Sequence, residues 1–169
     1  MKSTKNLLEQ LKSLPYFSKT AIYQLGEHAG LKRTSVDTCV GRFLKRKETI
    51  RLKNGLYVSA EFFDKNRGDS SYTFYLANII RTPSYISSWA ALQYHNLTTE
   101  AINSITSVTA KVTRSYQTRA GNFDYKSIKR DLFSGFSLMK GNPAASTGKF
   151  DFFIASPSKA LFDLLYFKT

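Results

Sequence analysis

Residues 33–58, RTSVDTCVGRFLKRKETIRLKNGLYV, carry the pattern that decides the fold of the N-terminal part of this chain. In their first half, apolar side chains recur at the spacing of one buried helical stripe: Val36, Cys39, Val40, Phe43 and Leu44. In their second half, two β-prone runs (49–52 and 56–58) flank Asn54-Gly55. An Asn-Gly pair between such runs is the strongest short-range signal for a β-hairpin. We therefore predict a helix followed by a hairpin.

Two further helices are predicted before this stretch. In the first, Thr4 is the expected cap, leucines follow at helical spacing, and Pro15 ends the helix. In the second, Ser18 is the expected cap and the helix ends at Gly26 or Gly30. Thr34 or Ser35 is expected to cap the third. Three helices followed by a hairpin is the order of a winged helix-turn-helix domain, which we assign to residues 1–63.

Positive charge is concentrated in the same part of the chain. The 169 residues include 25 Lys and Arg against 12 Asp and Glu, a net charge of +13. Eight of these basic residues lie between Lys32 and Lys53, where only Asp37 and Glu48 oppose them. Such a focus favours a polyanionic partner. Because no surface platform of aromatic side chains is evident, and Phe43 and Tyr57 are expected in the core, duplex DNA fits better than RNA.

On this reading the third helix enters the major groove and the hairpin contacts the neighbouring backbone. Ser35 and Thr38 could bond base edges, although hydroxyls discriminate poorly between bases. The remaining predicted contacts are cations and the turn amide, suited to phosphate or the minor groove: Arg33, Arg42, Lys45, Arg46, Arg51, Lys53 and Asn54.

The C-terminal part reads as a mixed α/β domain over residues 72–169, so the predicted fold class is α+β. A polar stretch, 64–71, separates it from the first domain. Helices are predicted over 72–80, from Ser87 or Ser88, and after Ser156 with Pro157 at the first position. Strands are predicted over 104–114, 123–128, 135–139 and 150–154, with a loop at 141–148. In the last helix, Ala160, Leu161, Leu164 and Leu165 should be buried, as should Trp89.

Nothing in the sequence predicts an enzyme, a metal site or a cofactor. His28 and His95 are far apart and lack a neighbouring carboxylate cluster, so His95 is expected to be structural or a cap. Residues 141–149 do not satisfy a phosphate-binding loop. A metal nuclease would need carboxylates such as Asp124 and Asp131 to converge. The single cysteine, Cys39, excludes an internal disulfide and favours a reducing, cytoplasmic compartment, and no apolar run is long enough to span a membrane.

Three stretches give the chain a resemblance to a known family. They are the predicted wing (51–57), the segment Pro83-Ser84-Tyr85-Ile86-Ser87 with Ala91-Leu92 and His95, and Ala155-Ser156-Pro157-Ser158-Lys159-Ala160-Leu161-Phe162-Asp163. In this order and spacing the chain resembles the AbiEi-type antitoxins of abortive-infection (type IV toxin–antitoxin) systems. Ser158 stands where that family commonly has Glu. Family members usually continue well past the equivalent of Thr169, so we expect a chain truncated at its C-terminus.

The resemblance implies a cytoplasmic repressor that binds operator repeats in its own promoter and an antitoxin that counters a nucleotidyltransferase-type toxin without a stable complex. It places Arg51, Lys53 and Asn54 on DNA, makes the 156–163 motif structural with Ser156 as a cap, and leaves Asp163 as a polar contact of unassigned role. The alternative hypothesis is a protein-interaction module whose basic surface docks an acidic protein, because a fold alone does not decide function.

Overall fold

A computed structural model describes residues 2–141 and 149–168. The described residues form an α+β protein with two separate sheets. The chain divides into two compact units. Unit 1 comprises the chain up to Gly68 together with Thr118–Ala120, and unit 2 comprises Asp69–Gln117 and the chain from Gly121 onwards. Most of the loop predicted at 141–148 lies outside the described residues.

Unit 1 has the predicted order of three helices and a hairpin, with two additions. Its elements are α1 (Lys2–Lys12), β1 (Phe17–Ser18), α2 (Lys19–His28), α3 (Arg33–Lys45), β2 (Thr49–Lys53), β3 (Leu56–Ser59) and α4 (Ala60–Asn66). The strands form an antiparallel sheet in the order β1-β3-β2. The core of the unit joins leucines of α1 to the apolar stripe of α3, as in Leu7, Leu11, Val36, Cys39 and Phe43.

The additions are β1 and α4. β1 was missed because a two-residue strand has no periodicity to read; only its pairing with Tyr57 and Leu56 defines it. α4 was missed because residues 64–71 are polar. The helix starts earlier, where the Ser59 hydroxyl accepts a hydrogen bond of 3.0 Å from the Phe62 amide. Phe62 and the following Phe63 are buried, so apolar burial holds a helix that then continues through polar residues to Asn66.

The predicted helix caps are partly right. Ser18 caps α2, with its hydroxyl accepting from the Ala21 amide at 3.2 Å. Thr4 does not cap α1, because that helix already begins at Lys2. Neither Thr34 nor Ser35 caps α3, because both lie inside the helix; the cap position is Lys32, without a side-chain hydrogen bond.

Unit 2 is built on a six-stranded mixed sheet in the order β6-β7-β5-β4-β9-β8. Its elements are α5 (Ser70–Ile80), β4 (Ser84–Ile86), α6 (Ser88–Tyr94), β5 (Ile105–Thr109), β6 (Arg114–Thr118), β7 (Gly121–Ser127), a 3-10 helix (Arg130–Leu132), β8 (Phe136–Met139), β9 (Phe152–Ala155) and α7 (Pro157–Lys168). β4 pairs antiparallel with β5 and parallel with β9, and β5 pairs parallel with β7. The central strands are therefore joined through helices and long connections.

Helices cover both faces of this sheet. The Tyr125 hydroxyl of β7 donates to the Ala77 carbonyl of α5 at 2.6 Å. The Tyr85 hydroxyl of β4 donates to Asp163 of α7 at 2.9 Å. Ser107 of β5 pairs with both Ile86 of β4 and Tyr125 of β7, so Ile86 and Tyr125 point to the same face of the sheet. Successive residues of a strand point to opposite faces, so Tyr85 points to the other face. α5 and α7 therefore lie on opposite sides of the sheet.

Three predictions for unit 2 are wrong. The strand predicted over 104–114 is β5, which ends at Thr109, and β6, which begins at Arg114, was not predicted. β4 was not predicted either, because its three residues precede a helix start. Leu161 and Leu165 are 49% and 56% exposed, so half of the predicted apolar face of α7 is not buried; the buried side chains of α7 are Ala160 and Asp163. Trp89 is 37% exposed, with the Lys168 ammonium 5.5 Å from its ring centre, rather than buried in the core.

Candidate nucleic-acid interface

α2 and α3 are held together by a tight turn and a close helix crossing. The Leu31 amide donates to Gly26 at 2.8 Å and the Gly30 amide to Glu27 at 3.0 Å, with Gly30 at a φ of 75°. This is the Schellman pattern that ends a helix with glycine in the left-handed region. Gly26 also contacts α3 directly, since a Cβ there would overlap Val36. The orientation of α3 on α2 is therefore fixed by two glycines.

α3 leaves most of its length exposed. Val36, Cys39 and Phe43 are buried, and Cys39 is a free thiol packed near Thr4, with Sγ 3.7 Å from its hydroxyl oxygen. The exposed residues of the helix are Arg33, Thr34, Ser35, Asp37, Thr38, Gly41, Arg42, Lys45 and Arg46. All six residues predicted on this helix (Arg33, Ser35, Thr38, Arg42, Lys45 and Arg46) thus lie on its surface.

These exposed residues do not all point in one direction. At about 100° per residue, Asp37 and Arg42 are separated by about 140° around the axis. Asp37 and Gly41 line a groove of about 250 Å³ together with Lys19 and Tyr23 of α2 and Arg51 of β2. The opposite flank of α3 lies next to Cys39 and its contact with α1, and it carries Ser35, Arg42 and Arg46. The structure therefore brings Arg51 next to the Asp37 side of α3.

Asp37 is a site residue that the sequence reasoning missed, because it read this aspartate only as a charge opposing the basic cluster. The Tyr23 hydroxyl donates to Asp37 Oδ1 at 2.7 Å, and Lys19 Nζ lies 3.6 Å from the same oxygen. The ammonium of Lys19 and the guanidinium of Arg33 lie 5.5 and 5.2 Å from the Tyr23 ring centre. The carboxylate is therefore exposed yet oriented. Only the fold reveals this, since Tyr23 and Asp37 belong to different helices.

Lys19 of the groove is stabilised in its charged form. The hydrogen bond to Tyr23, and then the attraction of Asp37, raise the pKa of Lys19 above its ordinary value. Within residues 2–141 and 149–168, the side chains of Arg42, Lys45, Arg46 and Arg51 form no salt bridge. Arg33 is more engaged, with Nε 3.7 Å from Glu27. Four exposed guanidinium or ammonium groups are thus available to an anionic partner.

The predicted hydroxyl contacts differ in what they can offer. Thr38 Oγ1 donates to the Thr34 carbonyl at 3.0 Å, so its proton is used within the helix and only its oxygen can serve a partner as an acceptor. Ser35 is exposed and lies on the flank with Arg42.

The β2–β3 turn is tied to the start of α2. The Lys19 amide donates to the Gly55 carbonyl at 2.9 Å. Gly55 has a φ of 78°, whereas Asn54 does not have a positive φ, and the register shifts between Arg51 and Lys53. The turn is thus a bulged hairpin rather than the type I′ turn that Asn-Gly favours. It presents Asn54 as exposed and Lys53 as half-buried.

A second polar cluster, in unit 2, is buried. The carboxylate of Asp163 is fully buried and accepts from Tyr85 at 2.9 Å and from Ser87 at 2.7 Å. Lys159 Nζ lies 2.9 Å from its other oxygen and donates to the Leu132 carbonyl at 2.7 Å. Burial, and then Asp163, raise the pKa of Tyr85 far above its ordinary value, so the phenol remains a donor. This buried cluster is structural, because its hydrogen bonds hold α7 against β4.

The same cluster joins two of the stretches that carry the family resemblance. Ser87 ends the 83–87 segment and Asp163 ends the 155–163 segment, and they are hydrogen-bonded. His95, the C-cap residue of α6, places Nε2 2.8 Å from the Ala155 carbonyl, which confirms its structural role. Ser156 accepts from the Lys159 amide at 3.2 Å, which confirms it as the cap of α7. The two segments are far apart in the sequence but are in contact in the fold.

Among the described residues, no three His, Cys, Asp or Glu side chains are grouped so that they could hold a metal ion. No helix in the described part of the chain has the length and apolar character needed to cross a membrane. In comparisons with known proteins, neither a family model nor a curated protein matches the chain.

Proposed function

We propose that this protein binds duplex DNA through unit 1, acting as a winged helix-turn-helix domain. The observation that carries the proposal is that Lys19 of α2 and Arg51 of β2 lie with α3 around one groove, and that the β2–β3 turn is hydrogen-bonded to the start of α2. α3 would enter the major groove, and the turn that bears Lys53 and Asn54 would lie on the adjacent backbone. Arg42, Lys45, Arg46 and Arg51 would neutralise phosphates.

We further propose that the bound DNA is the promoter of its own operon and that the protein is a repressor and antitoxin. This part rests on the resemblance to AbiEi-type antitoxins. The hydrogen bonds between its motif residues support the motifs as one folded feature of unit 2. The partner implied is a nucleotidyltransferase-type toxin, and cell rescue from such a toxin by unit 2 variants is the readout for that activity.

The DNA-binding proposal is tested by an anisotropy titration of the full chain. The probes are the DNA upstream of its gene and a random duplex of equal length, each over a salt series. We expect at least hundredfold preference for the upstream DNA. Neutralising six to eight phosphates should give a slope of log K against log[salt] of about −5 to −7. Equal binding to both duplexes would contradict sequence-specific repression.

Two variants sharpen this test. Arg42→Ala or Arg46→Ala should weaken binding to both duplexes and reduce the salt slope by about 1, because each removes one phosphate contact. Lys65→Ala is the control, since this exposed cation of α4 already pairs with Glu61 at 2.9 Å. If the chain binds neither duplex at physiological salt, the alternative of an acidic protein partner for this basic surface takes precedence.

A further inference from the structure

The middle of α3 contains a glycine that the fold of unit 1 does not require. Gly41 lies inside a 13-residue helix, on its exposed side, and does not have a positive φ. A Cβ at this position would meet nothing within 4 Å. Glycine weakens a helix interior relative to alanine because the unfolded backbone is freer.

Three other glycines of unit 1 have reasons internal to the fold, and Gly68, which also has open space, lies in a turn after α4 rather than inside a helix. Gly26 packs against Val36, whereas Gly30 and Gly55 have φ values of 75° and 78°. Gly41 has neither a close neighbour nor a positive φ. Glycine also allows another molecule to approach the backbone closely. The open space at Gly41 would allow a binding partner to approach the backbone of α3 there.

Asp37 lies one helical turn before Gly41 on the same side of α3 and lines the same groove. Its side chain is 51% exposed, and the contacts from Tyr23 and Lys19 reach Oδ1 rather than Oδ2. A carboxylate on a phosphate-binding surface is repelled by every backbone phosphate. Tyr23 and Lys19 already stabilise this carboxylate, and in a complex a base that offers a donor would stabilise it further. The amino group N4 of cytosine is the donor that Asp and Glu accept from in the major groove.

The residues around Asp37 are compatible with a base contact by its carboxylate. Lys19 and Arg51 line the groove beside Asp37, so that cations are available for the phosphates that flank a base pair. Adenine offers an amino group as well, but its N7 acceptor lies next to it and would repel a carboxylate. The chemistry therefore favours a C·G pair over an A·T pair.

We propose that the Asp37–Gly41 face of α3 reads base edges, with Asp37 accepting a hydrogen bond from cytosine N4 and Gly41 allowing the close approach of the duplex. This inference rests on the proposed function, and it assigns sequence preference to Asp37, on the flank of α3 opposite Ser35.

The test begins with a binding site selected by the full wild-type chain from random duplexes. Asp37→Asn should abolish discrimination at one C·G pair: replacing that pair costs the wild type about fivefold to 150-fold in affinity, and should cost the variant less than threefold. Since asparagine bonds adenine N6 and N7 together, the variant should come to prefer A·T there. Asp64→Asn, which removes an equal charge from an exposed position of α4, should leave the preference unchanged.

Gly41→Ala separates binding from folding. Because the new methyl group has open space, the Tm should rise by a few degrees, while affinity for both selected and random duplexes falls tenfold or more. If the wild type binds selectively and both variants bind and discriminate as it does, the inference is overturned and the proposed function stands. If the wild type selects no duplex, both are overturned.

Discussion

Replacing Lys159 by methionine should be the most damaging conservative change in α7. The substitution keeps the length of the side chain but removes the ammonium group 2.9 Å from Asp163. Asp163 is fully buried, and Lys159 is only 11% exposed at its side chain, so water cannot take over the role of the cation. Tyr85 and Ser87 would still donate to the carboxylate, but both are neutral donors.

The expected magnitude follows from this burial. Removing one partner of a buried ion pair costs about 3–5 kcal/mol, because the remaining charge is left without compensation. The lost hydrogen bond to the Leu132 carbonyl adds about 1 kcal/mol. Each kcal/mol corresponds to about 2–4 °C in a chain of this size, so the Tm of the chain should fall by about 8–24 °C.

The assay is urea unfolding followed by circular dichroism, with a double-mutant cycle. Asp163→Asn removes the charge but keeps an acceptor for Tyr85 and Ser87, so adding it to Lys159→Met should restore part of the lost stability. Lys140→Met is the control in the same unit: its partner Asp151 is 3.3 Å away, but Lys140 is 80% exposed, and the cost should stay below about 1 kcal/mol. If Lys159→Met costs no more than Lys140→Met, or the double variant is simply additive, the buried carboxylate is not charged and the reasoning fails.

Three further predictions follow from the same structure. Gly26→Ala should destabilise unit 1 by about 1–3 kcal/mol because its methyl group would overlap Val36, and an unchanged denaturation midpoint would refute the close crossing of α2 and α3. Ser18→Ala should cost about 1 kcal/mol by removing the cap of α2, whereas Ser13→Ala, whose hydroxyl only bonds the Gln10 carbonyl after α1, should cost less. Burial raises the pKa values of Tyr72, Tyr85 and Tyr125, so their protonated forms stabilise the fold below about pH 10, and this contribution is lost above it by up to about 4 kcal/mol per pH unit. Tyr125→Phe should reduce that slope by about a third in urea unfolding between pH 9 and 11, and a slope equal to that of the wild type would contradict the prediction.

The DNA-contact predictions show which candidate site residues can be identified from residue type and spacing. The charge run predicted Arg42, Lys45, Arg46 and Arg51 as DNA contacts, and the structure places them on the surface without salt bridges among the described residues. Asp37 was left out because one acidic residue in a basic run reads as partial neutralisation. Its orientation depends on Tyr23, 14 residues away in another helix. A sequence shows which groups a face contains but does not show which of them another element orients.

The sequence alone determined the elements that depend on local physics. Apolar periodicity predicted the first three helices of unit 1, Asn54-Gly55 predicted the hairpin, and Ser18 and Ser156 were predicted as caps, because each depends on residues within one or two turns. Tertiary structure alone decided β1, β4 and the end of β5 at Thr109, since short strands exist only through pairing with distant partners. It also decided which side of α7 is buried. Leucine at positions 161 and 165 predicted an apolar contact, but the inward side is Ala160 and Asp163, because the sheet presents Tyr85 and Ser87 there and a buried carboxylate satisfies their hydroxyls.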